Sequence, residues 1–178
     1  MQVRDGEIDV MVGKVRPRLT SASASRTRDR SFELLYSAAF PTVRRAVFAF
    51  CGHWEIAQDA AQESFVKAYA RWRRLHDEPW IEGWLVTTAM NEARRGLKRR
   101  PLSQEHIEER SVDPSNTDGL DVAAAMAKLP TRERQVAVLY FVLELPQMVI
   151  AELLDVSHGT VKAHVSHARE KLQAALNQ

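Results

Sequence analysis

Apolar residues recur every three or four positions through most of the chain, and nowhere do they alternate with polar ones over a useful length. That pattern predicts helices and no strands. Ser31 is placed to cap a first helix carrying Phe32, Leu35, Tyr36 and Phe40. Pro41 should break or kink it, Thr42 to Phe50 continue it, and Gly52 end it. A second helix runs from about Trp54 to Leu75, with Ala61, Phe65, Ala68 and Trp72 on its apolar face. His76 to Glu78 form a short loop, and Pro79 suits the first turn of a third helix that stops before Pro101.

Beyond it the pattern changes. Residues 101–120 hold two prolines, a glycine and little apolar content, which reads as a linker, with a short helical turn around Glu105 to Arg110. Residues 1–30 lack sustained periodicity, and Leu19 to Arg30 is nearly all Ser, Thr, Ala and Arg, which reads as a flexible tail. The expected fold is all-α: a tail (1–30), a small helical domain (31–100), a flexible acidic linker (101–120) and a second small helical domain (121–178). Domains of this size are marginal alone, so both should gain stability from a partner.

The second domain carries the clearest local signature. Leu129-Pro130 precedes a helix from Thr131 to about Leu143, and after Pro146 a shorter helix turns Ile150, Ala151 and Leu154 inward. Asp155-Val156 turns the chain, and Ser157 caps a helix with Val161, Val165, Ala168 and Leu172 as its apolar stripe. This is a helix-turn-helix, whose last helix puts its first turns into the major groove. Ser157, His158, Gly159 and Thr160 keep the tip small and polar, and Lys162, Ala163, Ser166, His167 and Arg169 share the outer face. Lys162 and Arg169 supply donors for phosphates and base edges. An amphipathic bundle helix with a solvated basic face is the plain alternative. His158, His164 and His167 invite a metal reading, but no Cys or carboxylate completes a ligand set, so no metal is expected.

Charge sharpens the division. The net charge of +2 says little, but the 11 basic and 8 acidic residues of 31–100 give way to 1 basic and 5 acidic over 101–120. In the third helix Trp84, Thr87, Asn91, Arg94 or Arg95, and Lys98 fall on one stripe, and Leu85, Ala89, Ala93 and Leu97 on another. Clustered cations repel one another along a helix, and a polyanion relieves that. Trp80 and Trp84 precede the cluster, and aromatic faces beside cations suit stacking of unpaired bases. A core role for the tryptophans and a solvated end for the basic cluster are the plain alternatives.

Cys51 is the only cysteine, so no intramolecular disulfide forms. With no membrane-length apolar run and no signal-type start, the chain reads as cytoplasmic. It has no phosphate-cradling glycine loop, metal-ligand set or nucleophile elbow, so no enzyme and no cofactor are expected.

The segments DAAQESFVKAYARW (Asp59 to Trp72) and WLVTTAMNEARRGLKRR (Trp84 to Arg100) resemble the second conserved region of bacterial RNA polymerase sigma factors of the extracytoplasmic-function group. LPTRERQVAVLYF (Leu129 to Phe141) and VSHGTVKAHVSHAREKL (Val156 to Leu172) resemble the fourth. The resemblance implies a protein that binds core polymerase at the largest subunit's clamp helices and at the flap, and directs it to promoters. Asp59, Gln62 and Glu63 would dock on the clamp, supported by Phe65 and Trp72. Thr87, Asn91 and Arg95, with Trp84, Arg94 and Lys98 on the same helix, would contact the minus-ten element, and the loop His76 to Trp80 would help hold a flipped base. Lys162, Ala163, Ser166 and His167, with Ser157, His158, Gly159, Thr160 and Arg169 beside them, would read the minus-thirty-five element. An anti-sigma factor is a further implied partner. The chain departs from the family's pattern at His164 and His167 (usually Arg), Val149 (commonly Glu) and Asp155 (commonly Gly). Two elements one and a half DNA turns apart lie ~50 Å from one another. A free ~20-residue coil spans only ~25 Å, so the linker must be held extended on the polymerase.

One rival shares the second half. TRERQV, IAELL and TVKAHVSHAREKL also resemble the DNA-binding domain of LuxR-type activators. Those carry a receiver or ligand-sensing domain in front, often α/β, and residues 31–100 show no strands and no acidic phosphorylation pocket.

Overall fold

The computed structural model describes residues 21–99 and 117–176. All regular structure in those residues is helical: α1 (Ser21–Cys51), α2 (Trp54–Ala70), α3 (Trp72–Leu75), α4 (Ile81–Arg99), α5 (Thr117–Ala127), α6 (Thr131–Ala137), α7 (Gln147–Leu154) and α8 (His158–Leu176). The all-α expectation holds. Residues 1–20 of the expected tail and 100–116 of the expected linker, including the turn at Glu105 to Arg110, lie outside the described residues.

Two helix boundaries differ from the pattern, each for a tertiary reason. The first helix begins at Ser21, ten residues before Ser31, so residues 21–30 are not a structureless tail. Ser31 caps nothing. Its hydroxyl accepts the Trp72 indole N–H at 3.1 Å, and Asp29 accepts the Tyr69 hydroxyl at 2.8 Å. Between them Phe32 meets Phe65, Tyr69 and Trp72 edge-on, with ring centres 6.2, 4.9 and 5.3 Å apart. Aromatic contacts of this geometry add about 0.5–1.5 kcal/mol each beyond burial. They hold an N-terminal turn that local propensity alone would leave frayed. The same helix runs unbroken through Pro41, because Ala39, Val43 and Val47 are buried on both sides of it. The second helix, by contrast, stops at Ala70. Arg71 breaks the ladder (φ −109°, ψ 10°), and Trp72–Leu75 form a separate turn.

α1, α2 and α4 make the first bundle, lined by Val43, Val47, Phe65, Leu85 and Met90. Gly52, in the left-handed region (φ +70°), reverses the chain between α1 and α2, where a side chain would be strained. The helix expected over Thr131–Leu143 keeps its length but widens to π geometry at Val138–Val142. Asp155 ends α7 in the left-handed conformation (φ 52°), which Asp tolerates better than most residues. Ser157 caps α8 as expected, accepting the Thr160 backbone N–H at 3.1 Å.

The two bundles do not stand apart. α5 and the π-helical segment pack on α1, α7 packs on α4, and the buried apolar residues of both halves form one cluster. Two contacts define the seam. At Gly83, a Cβ would come within 2.6 Å of Leu153 Cδ1 and 2.8 Å of Leu145 Cδ1, so any side chain here would make the tips of both leucines shift. At the other end, the Arg134 guanidinium donates to the Phe50 carbonyl (3.1 Å) in the last turn of α1. It also donates to the Ala127 and Leu129 carbonyls (2.9 Å each) at the end of α5. One cation thus caps two helices from different halves.

Gly83→Leu should push α7 off α4 while leaving helix content unchanged, read as a larger radius of gyration by small-angle scattering; an unchanged radius would show the seam held elsewhere. Arg134→Ala should lower stability in urea denaturation by about 3 kcal/mol, because three carbonyls lose a charged donor.

Candidate nucleic-acid and polymerase interfaces

The expected docking residues divide by burial. Asp59, Gln62 and Glu63 are exposed on α2, one turn apart on one face. Phe65 and Trp72 are buried, so they shape that surface from beneath and touch nothing outside. Sequence reading missed Val66, which is 63% exposed one turn beyond Glu63, and the exposed Tyr69. Val66 continues the stripe at three- and four-residue spacing, a signal present in the sequence. An apolar patch rimmed by charge is the usual anatomy of a protein-binding surface.

The expected minus-ten residues lie along one side of α4, and not all are open. Arg95 and Lys98 are exposed, and Asn91 and Arg94 are half-buried, with Arg94 Nη2 donating to Asn91 Oδ1 at 3.3 Å. Trp80 and Trp84 are half-buried, neither core nor free, and the Arg71 guanidinium lies 6.0 Å from the Trp84 ring centre. Thr87 is the exception: its hydroxyl is buried without a hydrogen-bond partner, one turn after the Gly83 contact with α7. In this arrangement no strand can reach that hydroxyl. His76 is exposed, its Nδ1 2.9 Å from the Asp77 carboxylate.

Beside this stripe a cleft of about 440 Å³ opens between α2 and α4. Lys67, Arg71, Arg94 and Arg95 line it, with Thr88, Asn91 and a single carboxylate, Glu92. Glu92 Oε1 accepts from Lys67 Nζ and from Arg95 Nη1, each at 2.5 Å. The Lys67 hydrogen bond, aided by the charges of both cations, holds the Glu92 carboxyl below the usual carboxylate range against an opposing effect of burial. It stays ionised and occupied.

On α8 the outward face is as expected: Ser157, His158, Gly159, Lys162, Ala163, Ser166, His167 and Arg169 are exposed, and Val161, Val165 and Ala168 are buried. Thr160 turns partly inward, its hydroxyl 2.8 Å from that of Ser157. Glu133 of α6 draws Lys171 to 2.8 Å and His167 Nδ1 to 3.9 Å, so His167 leans toward the body of the domain. Arg169 lies 5.9 Å from the centre of the Phe141 ring. Among the described residues no group of three or more His, Cys, Asp or Glu is placed to hold a metal, and no helix is long and apolar enough to cross a membrane.

Comparison with known proteins agrees with this architecture in both halves. Residues 35–101 match the family model of sigma-70 region 2, and residues 120–172 that of sigma-70 region 4. The chain is 27% identical over 164 residues to the probable RNA polymerase sigma factor RfaY of Xanthomonas campestris pv. campestris, a match spanning 84% of this chain and 41% of that one. It is 26% identical over 147 residues to the ECF RNA polymerase sigma factor EcfG of Rhodopseudomonas palustris, spanning 78% of this chain and 81% of that one. Among solved structures, the sigma factor RpoE of Bartonella quintana, in complex with the anti-sigma factor NepR, shares the fold. The TM-score is 0.68 at 21% identity, covering 83% of this chain and 98% of the other. The region 2 match favours this family over the LuxR-type reading, which rested on the second half alone. The chain belongs to the extracytoplasmic-function group of RNA polymerase sigma factors, the subunits that bind core polymerase and direct it to promoters.

Proposed function

We propose that three surfaces divide the work. The α2 stripe of Asp59, Gln62, Glu63 and Val66 docks on the clamp helices of the polymerase's largest subunit, with Phe65 and Trp72 as its rigid support. The α4 face of Trp80, Trp84, Asn91, Arg94, Arg95 and Lys98 binds the minus-ten element as it melts. The outer face of α8, from Ser157 to Arg169, reads the minus-thirty-five element as duplex in the major groove, while the second domain also contacts the flap. The first domain comprises α1 to α4 and the second α5 to α8. The protein works in the cytoplasm, performs no reaction of its own, and needs no cofactor.

One observation carries this reading. A cation-lined cleft and two half-buried tryptophans outside it, Trp80 and Trp84, lie on the same bundle as the exposed acidic stripe of α2. Unstacking bases costs a few kcal/mol, which aromatic and cationic contacts must return. A surface carrying those groups beside a protein-docking stripe suits melting that happens only on the polymerase. An anti-sigma partner would compete for the α2 stripe, as a protein surface of mixed apolar and acidic character.

Transcription in vitro with purified core polymerase and genomic fragments should yield specific start sites only when this protein is added. Identical transcripts with and without it would sink the reading. Asn91→Ala should reduce open-complex yield, followed by permanganate reactivity of thymines, by roughly tenfold, with core affinity unchanged. Equal loss of both would make Asn91 structural.

A further inference from the structure

The cleft between α2 and α4 contains a group that a DNA surface would be expected to lack. Glu92 is the only carboxylate lining it, and one of its oxygens is shared by Lys67 and Arg95. Its side chain is 19% exposed, whereas Arg95 is 62% exposed and therefore able to swing away. Lys67 is further engaged by Glu63, 3.6 Å away on α2. Two of the four cations of the cleft are thus neutralised from within the protein.

A carboxylate and a phosphodiester offer a guanidinium the same thing: anionic oxygens for charge-assisted hydrogen bonds. The carboxylate, being tethered, competes without the cost of bringing a partner in from solution. A strand that pairs with Arg95 meets a guanidinium whose Nη1 is already held by Glu92 and must compete with that carboxylate for it. Phosphate contacts carry no sequence information, so weakening them lowers binding to every sequence alike. Base contacts from neighbouring residues such as Asn91 are untouched. We propose that Glu92 is a specificity-determining residue of the minus-ten surface: it masks Arg95 and Lys67 against phosphodiester backbone, so that strands are retained only when their bases are held as well. This rests on the reading of α4 as a DNA surface.

The test uses the full chain and a fluorescein-labelled oligothymidylate, a strand with phosphates but no promoter sequence, titrated over a range of salt. Glu92→Gln should tighten binding by about three- to tenfold at low salt and steepen the log–log salt dependence by about 0.7, one further phosphate on a single strand. In an Arg95→Gln background most of that gain should vanish. Glu82→Gln, which removes an exposed acid from the same helix, should change affinity little. Because Glu92→Gln also loosens the link between α2 and α4, a second comparison does not depend on it. Arg95→Gln should weaken binding less than Arg94→Gln, since Arg95 is already half-neutralised in the wild type. Unchanged or weaker binding by Glu92→Gln, an equal gain from Glu82→Gln, or an Arg95→Gln loss as large as that of Arg94→Gln would each overturn the proposal. If Arg95→Gln weakens binding but Glu92→Gln leaves it unmoved, α4 is a DNA surface and only the mask is refuted. If no variant binds, the DNA surface is refuted and the mask with it.

Discussion

The close approach of α7 to α4 at Gly83 is the constraint on which the arrangement of the rest depends. Each helical unit is near the size at which a single core barely outweighs chain entropy. Burying the flank of one against the other is the cheapest source of further apolar contact, and the shared cluster of buried residues is the result. The side chains of Leu145 and Leu153 rest against position 83 in space that a side chain there would take. Arg134 then closes the far end of the seam, satisfying carbonyls that two helix termini would otherwise leave unpaired.

The seam runs close to Thr87, whose hydroxyl, one turn after Gly83, is buried without a hydrogen-bond partner. A buried hydroxyl with nothing to bond is unfavourable, so this packing carries a local penalty at Thr87.

The electrostatics of α2 and α4 follow a similar logic. Glu63, Lys67, Glu92 and Arg95 form an alternating row running from the acidic stripe of α2 to the basic face of α4. Exposed ion pairs contribute little to stability, so the row is better understood as setting which charges each surface presents. On the α2 stripe carboxylates predominate; on the α4 face, guanidinium groups do.

Much of this was legible in the sequence because the signals are local. Helical periodicity, the Ser157 cap, the inward stripe of α8 and the acidic turn of α2 each depend on residues within one or two turns, and all stand in the structure. What local signals could not convey are pairings between residues far apart in the chain. The ten-residue extension of α1 answers to aromatic rings forty residues away; the burial of Phe65, Trp72 and the Thr87 hydroxyl depends on which helix lies over each. Gly83, Arg134 and Glu92 looked ordinary: a helix-weakening glycine, an arginine and an acid among bases. The sequence by itself determined the helices, their order and the chemistry on their faces, because propensity, capping and periodicity act over a few residues. Only the tertiary structure decided which faces are covered, which cations are already paired and how the two halves meet, because those outcomes depend on contacts that exist only once distant segments have packed.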